Sequence, residues 1–128
     1  MLHFEKLDVY QASIEFLAIS AVIVEKLPSG YSNLSDQLKR TSLSIPLNIA
    51  EGSGKPTGRD EGKFYGIARG SAMECGAILD ASRVLGITED DLVKKGKLII
   101  ERIVSMLTRM CNGRFRPGPR PRPGPRPR

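Results

Sequence analysis

Apolar residues recur along this chain at three- and four-residue intervals, and no segment alternates convincingly between apolar and polar, so the pattern predicts helices joined by short loops. The first helix runs from Asp8, as its N-cap, to Leu27, where Pro28-Ser29-Gly30 stops it. Val9, Phe16, Ile23 and Leu27 make one stripe on it, while Ile14, Ala18, Ala21 and Val22 lie elsewhere around the cylinder, the mark of a helix buried on more than one side. The second opens near Ser32 or Ser35 and ends at Gly52 and Gly54. Pro46 inside it removes one backbone bond and crowds the preceding turn, so a kink between Ser42 and Pro46 is expected. The third follows Lys55-Pro56-Thr57-Gly58 and ends near Leu85, with Phe64, Ile67, Ala68, Ser71, Cys75, Ile78, Ser82 and Leu85 on one face. Thr88 is read as the cap of the fourth, with Glu89, Asp90 and Asp91 favouring the positive end of its dipole. Leu92, Gly96, Ile99, Ile103, Met106 and Met110 then repeat until Asn112-Gly113.

Four amphipathic helices with short connections predict an all-α fold, an antiparallel up-down four-helix bundle. The second helix points beyond a monomer. Counting about 100° per residue from Leu34, Leu38, Ile45 and Ile49 fall between about 20° and 60°, whereas Leu43, Leu47 and Ala50 fall between about 160° and 220°. One face can meet the bundle core and the other is left for an oligomer interface, unless Pro46 shifts the phase so that both enter one core. A polar stripe at about 240° to 320° holds Gln37, Arg40, Ser44, Asn48 and Glu51. Together with Ser71 and Glu74 these residues form a candidate structural network in which Glu51 or Glu74 forks Arg40; the alternative is an ordinary solvated face.

Composition narrows the chemistry. The single histidine, His3, supports neither a His-rich metal site nor a Ser-His-Asp triad, and no nucleophile is paired with a base, so no catalytic residue, metal or cofactor is expected. Cys75 and Cys111 lack C-x-x-C spacing and read as core thiols in a reducing cytoplasm. The N-terminus mixes acids and bases unlike a signal peptide, and the longest nearly apolar stretch, Phe16 to Val24, is far below the roughly 20 residues that cross a bilayer. Gly52-Ser53-Gly54-Lys55 is no phosphate loop, because Ile49 stands where the motif needs glycine and a helix precedes it where the motif needs a strand.

Net charge at first suggests a polyanionic partner, with 20 Lys+Arg against 14 Asp+Glu. Residues 114–128, RFRPGPRPRPGPRPR, hold six of those bases, six of the nine prolines and no acid, so residues 1–113 are formally neutral. The chain therefore divides into a bundle over 1–113 and a basic tail over 114–128 that carries RPGPRP twice and is expected to be disordered or polyproline-like. Its arginines can contact phosphates, or the tail is a solubilising extension.

The blocks Ser44-Ile45-Pro46-x-Asn48-Ile49-Ala50-Glu51-Gly52 and Ala68-Arg69-Gly70-Ser71-x-x-Glu74, preceded by Phe4-Glu5-Lys6-Leu7-Asp8-Val9-Tyr10, resemble the bacterial proteins encoded within intervening sequences of large-subunit ribosomal RNA genes, sometimes labelled S23 ribosomal proteins. The resemblance spans most of residues 4–110. It implies a four-helix bundle assembled as a ring-like homopentamer, and a relation to accessory subunits of diversity-generating retroelements, which bind RNA and a reverse transcriptase. It implies no enzymatic activity.

The expected function is that of a non-enzymatic oligomeric RNA-binding or RNA-associated protein of the cytoplasm, with a protein scaffold, for example for a reverse transcriptase, as the alternative. Candidate RNA contacts are Lys39, Lys55, Arg59, Lys63 and Arg69 in the body and Arg114, Arg116, Arg120, Arg122, Arg126 and Arg128 in the tail.

Overall fold

A computed structural model describes residues 1–111. A 3₁₀ turn, His3–Lys6, leads into helices α1 (Asp8–Lys26), α2 (Ser32–Ser53), α3 (Gly58–Val84) and α4 (Asp90–Cys111), and no strand occurs among the described residues. Each helix packs on the next and α1 closes against α4, giving an up-down-up-down bundle in which the α1 and α3 backbones stand on a diagonal. The expected end at Asn112-Gly113 and the whole of 114–128 lie outside the described residues.

Local chemistry sets the helix ends. Thr57 caps α3 by accepting the Asp60 amide at 3.2 Å, and Asp60 and Glu61 place negative charge in its first turn. At the other end Gly86 takes φ 73°, and the Ile87 and Gly86 amides donate to the Ser82 and Arg83 carbonyls, a Schellman stop that a residue with a Cβ would strain. Two expected caps fail. Asp8 is the first helical residue rather than the cap, the extended Leu7 preceding it. Thr88 sits two residues ahead of α4, its hydroxyl buried without a hydrogen-bond partner, and the Val93 amide turns back to the Glu89 carbonyl instead.

Phe16, Ile45, Ile49, Leu79, Ile103 and Leu107 are wholly buried at the centre. Glycines draw the helices together at three places. A Cβ on Gly96 would stand 2.8 Å from Leu79 Cδ1, one on Gly52 would stand 2.8 Å from the Tyr65 ring, and one on Gly62 would stand 2.5 Å from the carbonyl oxygen of Cys111. The last contact pins the end of α4 to the start of α3.

The α2 faces separate as the spacing predicts: Leu38, Ile45 and Ile49 are buried, Leu43 and Leu47 remain 45% and 58% exposed, and Ala50 is half-buried. Pro46 is buried within an uninterrupted helix and does not turn the second face inward. On α1, Ile14, Ala18, Ala21 and Val22 are exposed in the single chain, so the monomer buries only one side of a helix whose pattern suggested more. The α3 core face is rotated by about 60° from the expected one. Tyr65, Ala72, Gly76 and Leu79 point inward and Ile67 and Leu85 outward, because small residues at 72 and 76 let the neighbouring helices approach on that side.

Gly62→Ala should destabilise the bundle by about 1 to 3 kcal/mol despite alanine's better helix propensity, since the obstructing atom is backbone and cannot rotate away. Urea unfolding of the variant checks this, and an unchanged or raised midpoint would contradict the close approach.

Candidate polar seam and nucleic-acid interface

The helical wheel separates the polar stripe of α2 into two groups. Gln37, Ser44 and Asn48 lie toward α3, where Gln37 Nε2 donates to Glu74 Oε2 at 2.7 Å and the Ser44 and Ser71 hydroxyls meet at 2.9 Å. Asn48 Nδ2 donates to the Ser44 carbonyl at 2.9 Å and to the Ser44 hydroxyl at 3.0 Å. Five of the seven expected residues thus form a seam between α2 and α3, half-buried at Ser44, Asn48 and Ser71 and exposed at the Gln37–Glu74 pair. Arg40 and Glu51 do not join it. They lie one step further round, at about 240° and 260°, which turns them to solvent. Glu51 pairs with Lys55 at 2.9 Å, one turn along the same helix, and neither it nor Glu74 forks Arg40. A second seam, not foreseen from the sequence, joins α1 to α2 through the buried Ser20 and Ser42 hydroxyls, 3.0 Å apart. The signal for it was serine at positions whose helical neighbours are core residues.

The expected cationic residues divide by position along the bundle axis. Lys55, Arg59 and Lys63 belong to the α2–α3 connection and the first turns of α3, and Arg69 lies nearly two turns further along α3, opposite the last turn of α4. Lys55 Nζ lies 4.9 Å from the centre of the Phe64 ring as well as beside Glu51. Arg59 and Lys63 are exposed one turn apart on the outer face of α3. Arg69 Nε donates 2.8 Å across to Thr108 Oγ1 on α4. Because Cys111 is held against Gly62, the chain passes into residues 112–128 at the end of the bundle where α3 starts. Lys39 is placed elsewhere, lining a groove of about 480 Å³ between α1 and α2 with Leu17, Ala21, Val24 and Leu43. Arg114, Arg116, Arg120, Arg122, Arg126 and Arg128 lie outside the described residues. Lys6 and Arg109, which sequence reasoning did not single out, line a cavity of about 290 Å³ between α1 and α4 at the cationic end. Asp60 and Glu61 share that end, so the body alone offers a mixed surface with exposed cations rather than a uniform positive field.

Cys75 is buried, and its thiol is pushed from 9.0 up to about 12, by burial first and by the Glu74 carboxylate second. That holds it as a protonated core group rather than a nucleophile. Among the described residues no group of His, Cys, Asp and Glu is arranged to hold a metal ion, and no helix is long and apolar enough to cross a membrane.

Comparison with known families gives a match over residues 5–109 to the family described as 23S rRNA-intervening sequence protein. No curated protein matches the chain.

The seam makes the energetic ranking of its residues testable. Ser44→Ala should cost about 1 kcal/mol by unpairing the Ser71 hydroxyl and leaving Asn48 only the residue-44 carbonyl, whereas Glu51→Ala, which breaks only a partly exposed pair within one helix, should cost about 0.5 kcal/mol or less. Equal losses in urea titrations would contradict the division of the stripe.

Cys75 adds a pH dependence. Above about pH 9 the unfolded chain loses this proton while the folded chain keeps it, so the contribution falls as pH rises toward about 12. Between pH 8 and 10.5 wild-type protein should lose more stability than Cys75→Ala, by a difference of about 1 kcal/mol or more; parallel curves would show that the thiol is not held protonated.

Proposed function

The chain belongs to the 23S rRNA-intervening sequence protein family, and we propose that it is a non-enzymatic, oligomeric protein of the cytoplasm that associates with structured RNA through one end of its bundle. The observation that supports the RNA contact is that the exposed Arg59 and Lys63 lie in the first turns of α3, the helix start against which Cys111, the last described residue before the arginine-rich 114–128, is packed at Gly62. Cations at that end displace counterions from a phosphate backbone, and the gain grows with each phosphate neutralised. Phosphate contact positions an RNA without reading its bases, and Phe115 is the sole aromatic residue of the tail, so the reading is recognition of backbone and shape.

The oligomeric part rests on the apolar face that α1 and α2 present together. Ile14, Ala18, Ala21 and Val22 on α1 and Leu43 and Leu47 on α2 are exposed, with Ala21 and Leu43 lining one groove, on surface that a lone soluble bundle has no reason to make apolar. Several copies in one assembly bring several cationic ends to one RNA, so weak single contacts sum to useful avidity.

Filter binding to structured RNA across a salt series tests the RNA reading, with a simple polyanion as control. Removing residues 114–128 should weaken binding and flatten the slope of log K against log salt, by about 0.7 to 0.9 for each phosphate that the tail no longer neutralises. Arg59→Glu with Lys63→Glu in the truncated protein should abolish what remains. No binding by either form at low salt would overturn the reading, and equal affinity for the polyanion would reduce it to nonspecific charge.

A further inference from the structure

A groove of about 810 Å³ runs between α1 and α4, and its charge differs from that of the cationic end. Asp8 and Glu15 stand along one side of it and Glu101 along the other, all three exposed. Arg102 answers Glu15 only loosely, at 3.8 Å, and among the described residues Asp8 and Glu101 have neither an ion pair nor a side-chain hydrogen bond. Between the acids the groove is apolar: Met106 and the 64% exposed Leu98 line it. The groove of about 500 Å³ on the other side of α4, against α3, is different, because its Asp80 is already held by Lys97 at 2.7 Å. An occupant suited to the α1–α4 groove carries cations and apolar groups in close alternation.

We propose that the occupant is the chain's own RPGPRP segment, which folds back from the end of α4 and lays its first repeat, Arg116 to Pro121, in the α1–α4 groove. The reach suffices. From Cys111 back to Leu98 is about 20 Å along α4, whereas the 17 residues from 112 to 128 span about 50 Å at the 3.1 Å per residue of an extended proline-rich chain. Residues 112 to 116 cover about 15 Å, enough to round the end of a helix some 10 Å across. The spacing of charge also matches: Arg116 and Arg120 are about 12 Å apart in such a chain, and Asp8 and Glu15, the latter level with Arg102, about 10 Å apart on α1. Prolines at alternate positions lack a donor for any ladder but offer rings to Leu98 and Met106, while the guanidinium forks meet carboxylates. Each exposed pair contributes little, yet a tethered segment faces the groove at an effective concentration near millimolar, so weak contacts are populated. Arginines held in the groove are withheld from phosphates, so RNA has to displace them; this consequence, unlike the docking itself, rests on the proposed function.

Photo-cross-linking of the full-length chain tests the contact, with p-benzoylphenylalanine in place of Gly118, between the two arginines of the first repeat. The benzophenone inserts readily beside a thioether, and each groove of α4 holds one methionine, Met106 on the α1 side and Met73 on the α3 side. At low salt the expected product is a cross-link to Met106 that runs at the mass of one chain on a denaturing gel. Its yield should fall to background at about 0.5 M salt, where charge is screened within a few ångströms, and likewise when Asp8→Asn is combined with Glu101→Gln, two exposed positions outside the core. A cross-link to Met73, a product of two chains' mass, or a yield indifferent to the two substitutions would overturn the docking. Structured RNA should lower the yield, and the Asp8→Asn, Glu101→Gln chain should bind RNA more tightly than wild type. If the Met106 cross-link forms but neither RNA effect is seen, the RNA reading falls and the docked contact stands.

Discussion

A helix in a four-helix bundle can bury only the arc that faces its neighbours, and three of the four helices here carry more apolar surface than that arc takes. On α4 the division is nearer the conventional one: Ile99, Ile103 and Leu107 go in, and lysine, arginine and glutamate go out, with Leu98 the exposed large apolar residue among them. On α1, α2 and α3 a second set of apolar or small residues faces away from the core. The surplus cannot be taken up by repacking one chain, because the inner positions are already filled; Phe16, Leu79 and Gly96 meet at contact distance. Association is the remaining way to remove such surface from water, and the position of each surplus on the bundle determines the geometry that association can have.

The same close fit explains why the interior tolerates its polar groups. Ser42 donates to the Lys39 carbonyl and accepts from Ser20, whose one proton lies within reach of both Ser42 and the Leu17 carbonyl, while Ser13 and Ser82 donate to carbonyls on their own helices. Small hydroxyl residues keep the helices close without leaving donors unpaired. The α2–α3 seam applies this at the bundle edge, where Gln37, Asn48, Ser44 and Ser71 fix the register of two helices that the glycines alone would let slide.

Helix number, order and most boundaries were legible in the sequence, because they depend on apolar period and on breakers such as Pro28, Pro56 and Gly86, all of which act locally. The separation of the two α2 faces was legible for the same reason. The rotation of α3 was not, since Tyr65 and Phe64 are comparable on a wheel, and only the close approach of the helices at Ala72 and Gly76 decides which one turns inward. Nor was the solvent-facing position of Arg40 legible: residues at about 240° and 300° look like one stripe, yet only the second lies within reach of α3. The cationic end was readable as a set of residue types but not as a place, because it depends on Cys111 being held against Gly62, a contact made by residues 49 positions apart in sequence.

Assembly and RNA contact constrain each other through the surfaces they use. If the α1–α2 face and the outer face of α3 are covered by neighbouring copies, the surfaces left to a polyanion are the ends of the bundle and the outer side of α4. The cationic end is among them, and neither apolar face has to be given up for it to be reached. Rotation about a single axis, which relates the copies in any closed ring, preserves height along that axis, so every copy presents Lys55, Arg59 and Lys63 at one level and its tail starts from that level too. Charge that is too dilute on one neutral body is thereby gathered on one rim. Since the free energy of backbone binding scales with the number of phosphates met at once, an assembly of that kind would couple the apolar surplus of α1, α2 and α3 to the RNA contact proposed above.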